Sequence, residues 1–254
     1  MREFAGAFVL QLRLMARKPD DLMLLFTTPL VTLVFVSIFK HAHRSDLGPY
    51  AVVAPAMMAV LQMSLFVSGE LIAGERRNAL FEATLTTPAR YPAVLFGRTL
   101  AVTLISFFAL VESIIVGALF GVVVTVHHPV VFAATLVTTA FAMTGTAVAM
   151  AALFVVSRNT RTFQNALSYP FFVLGGVIVP ITFLPLAVQP FSRIVFLSWS
   201  SDLLRDCLAA PTVANAGWRL AAVVGLGLLA LAVGELLLRW TLKRTRVDGT
   251  AMLA

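Results

Sequence analysis

The sequence predicts an all-α membrane protein, and three observations predict it. Of its 254 residues 59% are apolar, only 12% are charged, and the charges fall between long uncharged runs. Soluble domains hold about 45–50% apolar and about 25% charged residues, so this composition is not that of a water-soluble enzyme. The formal charge of +7 does not point to a nucleic-acid partner, because a nucleic-acid face needs many charges on one soluble surface. It reads instead as a topology signal. The lone Cys207 rules out a disulfide framework within the chain and any multi-cysteine metal site.

A helix that crosses about 30 Å of hydrocarbon needs about 20 mostly apolar residues, and six candidates have that character. Leu22 to Phe39 and Leu47 to Gly69 are uncharged, Thr99 to Val126 is interrupted only by Glu112, and Pro129 to Ser157 is uncharged again. Thr162 to Ser192 is uncharged but too long for one simple crossing, and it carries Pro170, Pro180, Pro185 and Pro190. Leu220 to Leu238 is the last, with Glu235 near its end.

Residues 1–21 do not have the layout of a removable signal peptide. Arg2, Arg13, Arg17 and Gly6 share one side of a helical wheel, with Phe4, Phe8, Leu12 and Met15 opposite. That pattern predicts an amphipathic helix lying in the headgroup region, ahead of a turn at Pro19; a frayed tail is the plainer alternative.

Six spans place both termini on one side. If that side is the cytoplasm, the inner segments hold Arg2, Arg13, Arg17, Lys18, Arg76, Arg77, Arg90, Arg98, Arg158, Arg161, Arg239, Lys243, Arg244 and Arg246. The outer segments hold Lys40, Arg44, Arg193, Arg205 and Arg219. A basic excess of this sense favours cytoplasmic termini.

The segment 74–98 is the richest in information. It reads Gly74-Glu75-Arg76, then Phe81-Glu82, then Leu85-Thr86-Thr87-Pro88, and closes with Leu95-Phe96-Gly97-Arg98. Arg77 to Leu85 holds no Pro or Gly and predicts a short helix that Thr87-Pro88 ends. Such a helix between two spans is a handle for a soluble partner; composition alone leaves a solvated loop with topology-fixing arginines as the alternative.

These residues resemble the cytoplasmic loop of the type-2 ABC exporter permeases, the drug, lipid and polysaccharide export group. The likeness covers almost the whole chain: an amphipathic first helix, Pro29 in the first span, six spans and a proline-broken fifth region recur in that order. One departure is Ala79-Leu80 where the family usually has Gly-Thr. The resemblance implies a single permease domain over 1–254 with six transmembrane helices. It also implies an N-terminal interfacial helix (1–21), a coupling helix in the cytoplasmic loop (74–98) and outer re-entrant half-helices (180–201). It further implies that Glu75, Arg76, Arg77, Phe81, Glu82, Leu85, Thr87 and Pro88 meet a separate cytoplasmic ATPase, present in two copies. A second permease chain, identical or related, would complete the transporter in a bacterial plasma membrane, exporting a drug-like, lipid or glycan cargo.

The fifth region has its own physics. Gly175-Gly176-Val177-Ile178-Val179-Pro180 ends a helix, and Pro185 and Pro190 forbid continuing it straight. Irregular backbone survives at membrane depth only where protein or water covers it. A helix followed by short re-entrant pieces around Pro180, Pro185 and Pro190 fits; a single kinked helix with an ordinary outer loop is the simpler alternative.

No lysine sits in a G-x-x-x-x-G-K-[ST] phosphate loop. The chain is therefore expected to bind no cofactor itself, with ATP and Mg on the partner ATPase. His41, His43, His127 and His128 fall in predicted outer loops, where solvated turns are the plain reading and a shared metal the sharp one. Glu70 and Glu235 lie near the cytoplasmic boundary and are read as structural, paired with nearby arginines. Glu112 falls near the middle of the third run, to pair inside the bundle, line a polar cavity or carry a proton. An ion-coupled carrier built on Glu112 is one rival reading, and a non-transporting scaffold or sensor subunit is the other. Phe outnumbers Trp and Tyr, 20 to 3 and 3, which leans towards a hydrophobic cargo.

Overall fold

Backbone polar groups in lipid must be satisfied within the chain, and helices do this one segment at a time. A computed structural model, which describes residues 2–18, 22–43, 47–77, 91–154, 160–209 and 212–248, is helical, with no strand among the described residues. In chain order the helices are α1 (Arg2–Arg17), α2 (Met23–His41), α3 (Gly48–Arg77), α4 (Tyr91–Ser106), α5 (Phe108–Leu119), α6 (Pro129–Phe154), α7 (Thr160–Leu174), α8 (Gln189–Ser192), α9 (Phe196–Ala209) and α10 (Ala216–Asp248).

Among the described residues five helices are long and apolar enough to cross a membrane: Met23–His41, Gly48–Leu71, Tyr91–Leu119, Pro129–Phe154 and Ala216–Trp240. The third combines α4 and α5. Its helix tightens at Phe107, where Leu110 N–H reaches the Phe107 carbonyl at 3.0 Å and Ser106 Oγ donates to Thr103 O at 2.6 Å.

One expectation needs correction here. The third crossing begins earlier and ends earlier than the run Thr99 to Val126. Gly121, at φ +80°, closes α5: its N–H bonds to Ala118 O at 3.0 Å and Val122 N–H to Gly117 O at 2.8 Å, the pattern of a Schellman stop. The valines that follow are β-branched and lie outside any helix, so an uncharged stretch is not a helical one. Glu112 consequently lies seven residues from the end of the crossing, in one half of it rather than at its centre.

In the fifth expected region the helix is short, as the paired glycines predict. α7 has 15 residues, about 22 Å at the usual rise, and a second Schellman stop ends it. Gly176 takes φ +60°, with Gly176 N–H on Val173 O and Val177 N–H on Phe172 O, both at 3.1 Å. Beyond it come a 3-10 turn at Ile181–Phe183, then α8 and α9. The helical piece α9 continues to Ala209, past the expected limit at 201.

α3 is the axis of the fold. Its Val53, Met57, Val60 and Leu61 meet Met143 of α6, Phe172 of α7, Leu197 and Leu204 of α9 and Val223 of α10 in one apolar core. α2 is peripheral: it buries Thr28, Thr32 and Val36 and leaves Phe26, Leu30, Val34 and Ile38 exposed on the other side. α6 and α10 pair most closely. A Cβ on Gly145 would stand 2.6 Å from the Gly227 carbonyl, and one on Gly227 2.7 Å from Ala142 Cα, so small residues let these backbones touch.

Candidate functional site

At the Arg77 end of α3, α1 is bolted to the start of α4. The amphipathic α1 turns Ala7, Gln11 and Met15 inward and exposes Arg13 and Arg17. Arg98 Nε donates to Gln11 Oε1 at 3.0 Å, and the Phe4 and Phe96 rings lie 6.1 Å apart. A Cβ on Gly97 would stand 2.8 Å from the Phe4 carbonyl, so only glycine admits α1 at this distance. Leu95 is buried with Leu71, Tyr91, Val148, Ala152 and Leu238. Three of the residues in Leu95-Phe96-Gly97-Arg98 thus seat α1, and Leu95 anchors the seat to the bundle. The apolar face of α1 rests on protein here, which makes it more than a helix lying in headgroups.

Between α2, α3 and the α4–α5 pair runs a seam of buried hydroxyls. Thr32 Oγ1 and Ser113 Oγ are 3.0 Å apart, and Ser64 Oγ and Thr103 Oγ1 are 3.2 Å apart. The two threonines also return to their own helices, Thr32 to Thr28 O at 2.9 Å and Thr103 to Thr99 O at 3.0 Å, which satisfies them locally. Glu112, next to Ser113, has its Oε2 buried with no hydrogen-bond partner among the described residues.

At the opposite end a polar network staples the broken region to the bundle. Arg205 of α9 is 2% exposed. Its Nη2 donates to the Val177 carbonyl just beyond the Schellman stop, and its guanidinium lies 4.3 Å from the centre of the Tyr50 ring on α3. Asp202 stands 3.8 Å from Arg205 and 3.0 Å from Arg193. Arg193 in turn covers the Trp199 ring at 4.6 Å, while Trp199 Nε1 donates to the Arg193 carbonyl at 2.9 Å. Ser201 Oγ donates to Gly175 O at 3.0 Å, and Thr139 Oγ1 of α6 to Ser200 Oγ at 2.9 Å. A planar cation that hydrogen-bonds in its plane and stacks through its face can join three segments at once, which an ammonium cannot.

The family match spans most of this architecture. A family model described as ABC-2 type transporter matches residues 6–208, from α1 to the last turn of α9. The chain belongs to the ABC-2 type transporter family. No match was found among curated proteins. The protein is therefore a multi-pass membrane permease component of an ABC transporter, a family that works with an ABC ATPase.

In this permease the expected coupling residues divide into two groups. Glu75, Arg76 and Arg77 belong to the last turn of α3, but their side chains fall outside the described residues; so do Phe81, Glu82, Leu85, Thr87 and Pro88 entirely. The prolines of the broken region each take a defined place. Pro180 precedes the 3-10 turn, Pro185 O accepts from Val188 N–H at 2.8 Å, and Pro190 sits in the first turn of α8. Glu235 pairs with Arg239 one turn on.

His41 and His43 are exposed at the end of α2, and His127 Nε2 lies 3.5 Å from Thr125 Oγ1. Among the described residues no group of three or more His, Cys, Asp or Glu could hold a metal ion. The residues that sequence reasoning missed are Arg205, Tyr50 and Gln11. Arg205 was countable only as a loop charge, yet Ser198, Ser201 and Arg205 follow one another at helical spacing between leucines, and that spacing was the signal.

Proposed function

We propose that this permease exports a hydrophobic or amphiphilic compound, drug- or antibiotic-like, out of a bacterial cell, as one of a pair of permease chains driven by two cytoplasmic ATPases. Both termini lie in the cytoplasm in this reading, supported by the fourteen of nineteen basic residues on that side. The observation that carries it is the continuity of α3. One helix runs from the apolar crossing that ends at Leu71 on to Arg77, and the chain re-enters the bundle at Tyr91 through a helix locked to α1 by Arg98 and Gln11. A push on the segment between Arg77 and Tyr91 therefore reaches the core through rigid elements.

In the mechanism this supports, ATP and Mg bind the partner and close the ATPase dimer. The segment bearing Glu75, Arg76, Arg77, Phe81, Glu82, Leu85, Thr87 and Pro88 takes up that movement, and facing helices of the two permeases rearrange. The region around Pro180, Pro185 and Pro190 forms the outer, re-entrant roof of the pathway, with α7 as the fifth of six crossings, shortened. Lipid or glycan cargo is the alternative for the same machinery.

Co-purification of the full chain with the products of neighbouring genes tests the reading. The expected result is an ATPase at about equal ratio whose hydrolysis rate changes on Glu82→Lys. The unpartnered oxygen of Glu112 favours one other reading, an ion-driven carrier. Solute movement by the chain alone down a proton gradient, abolished by Glu112→Gln, would replace the exporter by that carrier.

A further inference from the structure

At the end of the bundle away from Arg77 a cavity of about 540 Å³ opens between the last turn of α2, the first turn of α3, the non-helical segment after α5 and the end of α9. That volume is within the usual range for small-molecule sites, about 300–1,000 Å³. Phe39 and Val122 to Val124 make its apolar side. Among the described residues that line it the charge is of one sign. Lys40 lines it, and Gly121 leaves the ammonium room: a Cβ there would stand 3.3 Å from Lys40 Nζ. Gly48, Pro49 and Ala51 bring the start of α3, the positive end of its helix dipole, to the same wall. No Asp or Glu is among the described residues that line it, and none of the described carboxylates is within ion-pair distance of Lys40.

The surroundings identify the phase that the occupant comes from. Lys40 closes an uncharged run of apolar helix, and Val123, which lines the cavity, is an exposed apolar side chain. An anion with an apolar body, at the depth where a crossing helix ends, fits both features. We propose that the cavity holds the anionic headgroup of a phospholipid from the leaflet at this end of the bundle, with Lys40 as the cation for its phosphate. The proposal does not depend on what the permease exports.

Native mass spectrometry of the full chain in detergent, titrated with phosphatidylglycerol, phosphatidylcholine or glycerol 3-phosphate, tests it. The expected result is one tightly retained phosphatidylglycerol per chain. Lys40→Gln should weaken that retention about five-fold, as expected for one cation at a lipid surface, and Lys40→Arg should restore most of it. Lys40 is exposed, and an unchanged melting temperature of the lipid-free variants checks that the fold is intact. Equal retention by wild type and Lys40→Gln overturns the proposal. So does competition by glycerol 3-phosphate as strong as that of the lipid, which would assign the cavity to a free anion. Neither readout involves ATP or a partner, so the export reading stands or falls separately.

Discussion

The α6–α10 pair and the α7–α9 region solve the same problem, holding helices together without a hydrophobic drive from water, by opposite means. The first uses shape: Gly145, Gly227 and Gly234 bring backbones into contact, and a Cβ on Gly234 would stand 2.8 Å from the Ala149 nitrogen. The second uses chemistry: the helix stops at Gly176, and Arg205, Asp202, Ser201 and Arg193 tie its broken continuation to α3 and α9. Close packing has one minimum and resists displacement. A network of a few hydrogen bonds and ion pairs can exchange partners, so the region suited to move is the polar one.

The largest effect expected is at the seam. Gly227→Val places a branched side chain where even a Cβ would be 2.7 Å from Ala142 Cα, and overpacking of this kind costs about 1–3 kcal/mol. Purified protein should show a clearly lowered melting temperature in detergent, or fail to accumulate. A variant that melts with the wild type would remove the argument that α6 and α10 are in backbone contact.

Arg205→Leu comes next and acts at the other region. It leaves the buried Val177 carbonyl without its donor, a loss worth about 1–3 kcal/mol, and it takes the cation from the face of Tyr50. Hydrogen exchange should rise at residues 175–183 while the amides of α6 and α10 keep their protection. Arg205→Lys should rescue only part of it, since an ammonium does not both stack and hydrogen-bond in one plane. Uniform loss of protection across the bundle would mean that the two regions are not separable.

How far these regions were readable from the sequence follows from the same contrast. The apolar runs and the Gly175-Gly176 stop were visible, because hydropathy and a paired glycine are local signals. The end of α5 was equally local, yet the valines after Gly121 kept the run apolar and hid it. Run length measures hydropathy, and hydropathy does not distinguish helix from extended chain. What Arg205 and Gln11 bind was invisible for another reason. Their partners, Val177 and Tyr50 for one and Arg98 for the other, lie at sequence separations that no spacing rule covers. Of the expected loop 74–98, the closing motif Leu95-Phe96-Gly97-Arg98 acquires a structural meaning as the seat of α1, while the coupling residues Phe81 to Pro88 lie outside the described residues.

Asp202→Asn sharpens the polar half of the comparison with a smaller effect. Its carboxylate is partly exposed and serves Arg193 and Arg205 together, and exposed ion pairs contribute about 0.2–1 kcal/mol. The expected signature is a small drop in melting temperature that shrinks as salt is raised, because salt screens the pair that the substitution removes. A salt-independent loss would assign Asp202 a packing role instead.

Gly225→Ala is the smallest change and the strictest control on the seam. Gly225 shares α10 with Gly227, two residues away, but a Cβ there meets nothing within 4 Å. If glycine content as such weakened or loosened α10, both positions would respond alike. If backbone contact is what matters, Gly225→Ala should be neutral or raise stability, by at most the helix-propensity gain of about 1 kcal/mol, while Gly227→Val destabilises. Melting curves of the two variants side by side decide it, because they differ in which neighbour the new side chain meets and not in the helix that carries it.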